Sequence, residues 1–232
     1  MNIILIPARG GSKRIPRKNI KEIKGRPIIE WVISEAKKLD DFEMVVVSTD
    51  DKEIANIALD AGAEIPFIRP DNLSGDYAST RDVVLHTINF FKDKGIEIDT
   101  ICCIYPTALF ISEKDISESF RKLKNESIET YIFSATKFPH PIKRSFSIDK
   151  KGFSKMIFPD NFSSRTQDLE TAYHDAGQFY IASKNTWLKK SNLLERSIPY
   201  ILPRMRAIDI DTIEDWEYAE FIFGKTCITK VK

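Results

Sequence analysis

The chain has 232 residues, 42% of them hydrophobic and 30% charged, with a net charge of +1. That length sustains a core of its own, and that balance leaves no global field to draw the chain to nucleic acid or to a membrane surface. No apolar run approaches the roughly 18 residues of a membrane helix, and the three cysteines (Cys102, Cys103, Cys227) lack the spacing of a metal or redox motif.

Ile3-Ile4-Leu5-Ile6 is a continuous apolar run, and it predicts a strand over 2–6 that is buried on both faces. The start lacks the charged n-region of a signal peptide, so a cytoplasmic protein is expected. Gly10-Gly11 ends the strand and lets the backbone come close to a ligand. From Arg9 to Arg26 there are eight Lys/Arg residues and one acid, Glu22. A positive concavity at the carboxyl end of a parallel strand is where an open α/β sheet takes an anionic ligand, and a polyphosphate suits it. A solvated basic loop or a nucleic-acid patch is the alternative. The loop is neither a Walker A loop nor a Gly-x-Gly-x-x-Gly fingerprint.

A helix is expected from Pro27, with Ile28, Ile29, Val32, Ile33 and Ala36 on its apolar stripe. Met44-Val45-Val46-Val47 reads as a second buried strand, followed by a helix over about 51–61 that stops at Gly62. Residues 64–68 read as a short third strand, with Pro66 arguing for an edge or an end. Ser79 and Asp82 have the spacing of a capping box, ahead of a helix with Val83, Val84, Thr87, Ile88 and Phe91 inside. Strands over 100–104 and 130–136 flank a helix over 115–123. This alternation predicts an α/β fold with a mainly parallel sheet and right-handed crossovers. Cys102 and Cys103 are expected to be small buried side chains of the 100–104 strand.

Between about 138 and 175 the pattern breaks, punctuated by Pro139, Pro141, Gly152 and Pro159. A small β-rich excursion is expected there, and Phe146, Phe153, Met156, Ile157, Phe158 and Phe162 offer more apolar surface than a short hairpin can bury. Strands over 178–183 and 198–202 and a helix over 212–223, capped by Thr212 with Asp215, complete the reading. One α/β domain is expected over 1–232.

Arg9, Lys13 and Lys18 are the leading phosphate ligands, since Arg forks onto two oxygens and Lys is a mobile point charge. Arg14 and Arg17 are expected to be supporting or exposed. Asp209 and Asp211 stand two apart before a helix, so both can face one site. Such a pair of hard oxygen ligands suits Mg²⁺; a helix cap beside an exposed loop acid is the alternative reading. Residues 164–180 are dense in polar groups, which suits a site for a polyhydroxylated, carboxylated sugar. No Gly-x-Ser-x-Gly elbow supports a serine triad.

Several of these stretches also resemble one family. Ile6-Pro7-Ala8-Arg9, Ser12-Lys13 and Pro16 with Lys18-Asn19 resemble the opening of the CMP-sugar-acid synthetases, cytidylyltransferases that activate nonulosonic acids such as sialic acid. Arg69-Pro70, then Leu73-Ser74-Gly75-Asp76-Tyr77-Ala78-Ser79-Thr80, resembles the stretch that in this family closes over base and phosphates. Arg165-Thr166-Gln167-Asp168-Leu169 and Tyr173-His174-Asp175-Ala176-Gly177-Gln178-Phe179-Tyr180 resemble the pseudaminic acid branch. Sialic acid members typically carry Arg where His174 stands and Gln-Pro-Thr-Ser where this chain has Tyr105-Pro106-Thr107-Ala108.

The resemblance implies a Rossmann-like nucleotidyltransferase fold and a homodimer, with 138–170 as the dimerisation arm. It implies CTP and a nonulosonic acid as substrates, Mg²⁺ as cofactor, and a role in glycoconjugate or flagellin glycosylation. Nucleotide contacts would come from Ala8, Arg9, Gly10, Gly11, Ser12, Lys13, Lys18, Arg69, Ser79 and Thr80. Sugar contacts would come from Tyr105, Lys143, Arg165, Gln167, His174, Asp175 and Gln178, with Lys143 reaching the partner's site. Asp209 and Asp211 would hold the metal, and Arg9, Lys13 and Asp211 would carry the chemistry. The nearer alternatives are sialic, legionaminic or deoxy-octulosonic acid as the sugar. A glycosyltransferase with an Asp-x-Asp motif and a non-catalytic nucleotide-binding protein are the alternatives of other classes.

Overall fold

The computed structural model describes residues 1–229. Strand β1 (Asn2–Pro7) runs into the basic loop, which ends in a tight hairpin of β2 (Glu22–Ile23) and β3 (Arg26–Pro27). The two hairpin-turn residues, Lys24 and Gly25, have φ of 52° and 71°, the positive pair that a two-residue primed turn requires. Helix α1 (Ile28–Ala36), β4 (Met44–Ser48), α2 (Lys52–Asp60), α3 (Thr80–Asp93), β5 (Thr100–Ile104), α4 (Glu113–Lys124) and β6 (Ile132–Lys137) follow. The excursion holds the hairpin β7 (Phe146–Ile148) and β8 (Ser154–Met156). Then come β9 (Tyr173–Ser183), α5 (Lys184–Lys189), β10 (Ile198–Ile201) and α6 (Ile213–Thr229).

The six-stranded sheet has the order β10-β6-β9-β5-β1-β4. Its pairs are parallel except those of β9, which is antiparallel to both neighbours. Alternate residues of β1 feed opposite layers. Ile4 and Ile6 pack with α1, α2 and α4, while Ile3 and Leu5 pack with α3 and Trp187 of α5. All four are fully buried, and each contributes about 1.5–3 kcal/mol relative to an exposed side chain.

A third cluster lies beside the sheet and matters most for the site. Ile15 of the basic loop packs with Ile208 and Ile210 and with Trp216 and Ala219 of α6. It fastens the basic loop to the acidic segment 208–211.

The expected helix caps hold. Ser79 and Asp82 form a reciprocal capping box on α3, and Asp215 accepts from Thr212 N at 2.7 Å while its own N–H reaches Thr212 Oγ1 at 3.2 Å. Residues 64–68 do not form the expected strand. Glu64 bridges Val46 of β4 and Ile68 bridges Thr49 just beyond it, with no ladder between because Pro66 has no N–H to donate. Cys102 and Cys103 are buried in β5 as expected; the Cys227 side chain lies outside those described.

Candidate active site

Three adjoining cavities open at the carboxyl ends of β1 and β5. The first, of about 480 Å³, is lined by Arg9, Ser12, Lys13, Arg14, Lys18 and Asn19 against Asp76 and Tyr105-Pro106-Thr107. The second, of about 330 Å³, is lined by Lys18, Asp175, Gly177, Tyr180, Asp209 and Asp211, again with Tyr105 and Thr107. The third, of about 180 Å³, is lined by Arg9, Arg69, Asp76, Ser79, Thr80 and Tyr105 among others. Tyr105 borders all three, and Lys18 joins the cationic cavity to the acidic one.

The basic loop is braced from behind. Gly10 N donates to Asp50 Oδ1 at 2.9 Å. A Cβ on Gly10 would stand 2.7 Å from Asp51 Oδ2, so this approach admits glycine alone. Arg17, held in the left-handed region at φ 56°, pairs with Asp51 and lies 2.5 Å from Glu53. Its role is to anchor the loop to the start of α2. The buried Asn19 donates to the Arg9 carbonyl at 2.9 Å. Ala8 is buried and gives its N–H to Ser48 O at 2.9 Å, so its side chain and its N–H are both committed to the fold.

At the front, Arg9 and Lys13 both reach Asp76, at 2.9 and 2.5 Å. The two cations hold the Asp76 carboxyl below the usual carboxylate range, Lys13 most strongly. Asp76 is not among the expected site residues; its one sequence signal is that it is the lone acid of the Leu73–Thr80 stretch. Lys18 lies 2.6 Å from the Ile210 carbonyl and 3.3 Å from Asp211 Oδ1, and Arg14 pairs with the same oxygen at 2.9 Å.

Asp209 contrasts with Asp211. Its carboxyl is pushed up, first by the protein around it and then by the charge of Asp211, with Asp175 adding to this and Lys18 opposing it. Gly177, at φ 61°, lets the carboxylate approach: a Cβ there would meet the Asp209 carboxyl at 3.2 Å. Asp175 accepts from the Tyr180 hydroxyl and, at 2.9 Å, from Gly177 N.

Arg69 is buried beneath the third cavity. Its Nε donates to Ser48 Oγ at 3.0 Å, and Nη2 donates to the Ser48 carbonyl. Burial pushes its pKa down to about 10, so it stays cationic at neutral pH. Two of its five N–H groups are thus spent, and the guanidinium keeps others for a ligand. Thr80 Oγ1 and the Tyr105 hydroxyl are 2.6 Å apart, which joins the wall of this cavity to the centre of the site.

The cytidylyltransferase family model matches residues 3–220. The chain belongs to the cytidylyltransferase family. It is 41% identical to the pseudaminic acid cytidylyltransferase of Campylobacter jejuni over 96% of both chains. It is 31% identical to the CMP-N,N'-diacetyllegionaminic acid synthase of Legionella pneumophila, over 94% of both. A solved CMP:2-keto-3-deoxy-manno-octonic acid synthetase complexed with CTP shares the fold with a TM-score of 0.70 at 16% identity, over 97% of this chain and 99% of that one. The chain is therefore a nucleotidyltransferase, with the expected α/β nucleotidyltransferase fold, and the glycosyltransferase and non-catalytic readings fall.

Arg9, Ser12, Lys13 and Lys18, expected as nucleotide contacts, converge on the cationic cavity. Gly10 and Gly11 shape the turn, and Ser79 lines the third cavity while capping α3. The sugar side is brought together only in part. Tyr105 and Asp175 line the cavities. Gln178 does not: it is buried with its amide bonded to backbone carbonyls, so it is corrected from a sugar contact to a packed residue. His174 turns from the cavity, its ring against Phe138 and its Nδ1 2.8 Å from the Asp175 carbonyl. Lys143 pairs with Glu170 at 3.2 Å, Arg165 with Asp168 at 2.7 Å, and Gln167 is exposed on the same excursion. None of these three lines a cavity of this chain's own site.

Asp209 and Asp211 are the residues that could hold a divalent cation. The like charge around Asp209 is what a cation would relieve, and carboxylate oxygens are its preferred donors. Among the described residues no group of three acidic, imidazole or thiol side chains forms a closed cage.

Proposed function

We propose that this chain transfers the cytidylyl group of CTP to the anomeric hydroxyl of pseudaminic acid, giving CMP-pseudaminic acid and pyrophosphate. The observation that carries the reading is the meeting of a cationic and an acidic cavity at Lys18 and Tyr105, in a chain 41% identical to a pseudaminic acid cytidylyltransferase. The triphosphate takes the cationic cavity, with Arg9 and Lys13 exchanging Asp76 for phosphate oxygens. Arg69, with its remaining N–H groups, faces the base. The sugar enters beside Asp175.

The hydroxyl oxygen bonds to the α-phosphorus as the bridge to the β-phosphate breaks, in line and without a covalent enzyme intermediate, and the hydroxyl proton passes to solvent. Charge develops on the departing pyrophosphate, and Lys13 and Arg9 are fixed where it appears. Mg²⁺ held by Asp209 and Asp211 would supply positive charge at the phosphate oxygens. Lys18 holds the Ile210 carbonyl and Asp211, so the acidic segment keeps its place beside the phosphates.

The protein works as a homodimer in this reading. Phe146 is 57% exposed, Phe153 69% and Phe162 73%, a patch of apolar surface suited to a second copy. Lys143, Arg165, Gln167 and His174, which do not line this chain's own cavities, then serve the partner's sugar site. No helix among the described residues is long and apolar enough to cross a membrane; the reaction is assigned to the cytoplasm, where CTP is made. The experiment is incubation with pseudaminic acid and each of CTP, UTP, ATP and GTP, with mass-spectrometric detection of the sugar nucleotide. CMP-pseudaminic acid is expected from CTP, and its absence with CTP overturns the reading.

A further inference from the structure

Gln178 is 1% exposed and lines none of the three cavities. Its Nε2 donates to the carbonyl of Ile208 at 2.9 Å and to that of Ala176 at 3.1 Å. Two carbonyl acceptors on one side settle which end of the amide is nitrogen. The other end, Oε1, is buried without a hydrogen-bond partner. An apolar side chain of equal length would fill the same space without leaving an acceptor unsatisfied. A buried amide with one end unpaired is therefore accounted for by what its donors hold.

What they hold is the residue before Asp209. On one side the bare α-carbon of Gly177 admits the Asp209 carboxylate, with a notional Cβ at 3.2 Å. On the other, the amide of the next residue ties the Ile208 carbonyl to β9. The backbone carbonyl of Gln178 also accepts from Tyr105 N at 2.9 Å, so one residue joins the acidic segment to the tyrosine that borders all three cavities. We propose that Gln178 is a positioning residue that sets Asp209 for divalent-cation binding. The inference rests on the functional reading above for the role of the cation.

The test uses Gln178→Met and Gln178→Leu, both of which keep an apolar fit and remove the donors. Mn²⁺ binding to the free protein is measured by electron paramagnetic resonance, alongside kcat, KM for CTP and Tm. Both variants are expected to bind Mn²⁺ about 10–100-fold more weakly, the scale for losing a group that orients a metal ligand. The kcat is expected to fall with it, KM for CTP to stay within about twofold, and Tm to stay within the few degrees of an ordinary single substitution. Wild-type Mn²⁺ affinity in either variant overturns the proposal. So does a joint loss of CTP affinity and Tm, which marks a general packing defect. The Mn²⁺ measurement needs no sugar and no turnover, so it remains readable if the functional reading fails.

Discussion

Lys13 Nζ lies 2.5 Å from Asp76 Oδ2, across 63 residues of chain and the mouth of the cationic cavity. The pair gives the lysine an anionic partner before any nucleotide arrives. Binding a triphosphate then exchanges one anion for another at Lys13, so the gain in ground-state affinity is small. The gain that remains is for charge appearing in the transition state. Lys13→Ala is therefore expected to lower kcat by about 10²–10³, the scale of a lost oxyanion donor, with a much smaller rise in KM for CTP. Steady-state kinetics at saturating sugar read this directly. A change confined to KM would make Lys13 a uniform binding contact.

The two acids of the Asp-x-Asp stretch are expected to differ. Asp211 is already paired with Arg14 and Lys18, whereas Asp209 has Asp211 and Asp175 as like-charged neighbours. Asp209→Ala is expected to abolish turnover at every Mg²⁺ concentration, with the fold retained. Asp211→Ala also inactivates, and it frees Lys18 and Arg14, so a change in KM for CTP accompanies the loss. Isothermal titration of Mn²⁺ checks the assignment, and undiminished binding to the Asp209 variant would refute it.

The excursion predicts its own partner. The wild type is expected to sediment as a dimer in analytical ultracentrifugation, and Phe146→Asp and Phe158→Asp to give monomers. Activity is expected to fall with them, because in the proposed reading Lys143 and Arg165 serve the neighbouring site. Fully active monomers would show that each chain completes its own site.

Asp51 gives the stability a pH dependence of known sign. Arg17 holds its carboxyl below the usual value, against the opposing effect of burial, while the N–H groups of Ile54 and Glu53 add to the lowering. A depressed folded-state value means that the stabilisation is complete above the unfolded value of about 3.9. It is lost as pH falls through the folded value. Asp51→Asn keeps a helix-capping side chain and drops the charge. It is expected to lower Tm by about 2–4 °C, a contribution near 1 kcal/mol for a chain of this size. The difference should be constant from about pH 8 to 5 and shrink below about pH 4. A difference that grows in acid would reverse the assignment.

Local features were legible in the sequence and distant pairings were not. The run Ile3–Ile6, the Gly10-Gly11 break and the Ser79/Asp82 cap each depend on neighbours a few residues away, so spacing sufficed to read them. The Lys13–Asp76 clasp joins residues 63 apart, and no periodicity encodes it. Gln178 shows the limit most clearly. A polar residue beside Asp175 reads equally well as a ligand contact or as a core amide, and the Ile208 carbonyl, 30 residues on, decides between them. The segment 64–68 has strand composition, but Pro66 leaves it bridged only at its ends. Lys143 and Arg165 belong to a surface whose partner is a second copy in the reading proposed here, and one chain's sequence does not show that surface closed.

The most direct test of the central claim is the ratio of kcat/KM for pseudaminic acid to that for N-acetylneuraminic acid, with CTP and Mg²⁺ saturating and pyrophosphate release as the signal. Pseudaminic acid carries acylated amines at C5 and C7 and a methyl group at C9. In the proposed reading, a site built around Asp175 and the partner's polar excursion would reward the amides and leave an unmatched sugar with unpaired groups. A ratio of at least about tenfold in favour of pseudaminic acid is predicted, the scale of one lost hydrogen bond. Equal turnover of the two sugars, or faster turnover of N-acetylneuraminic acid, would contradict the account.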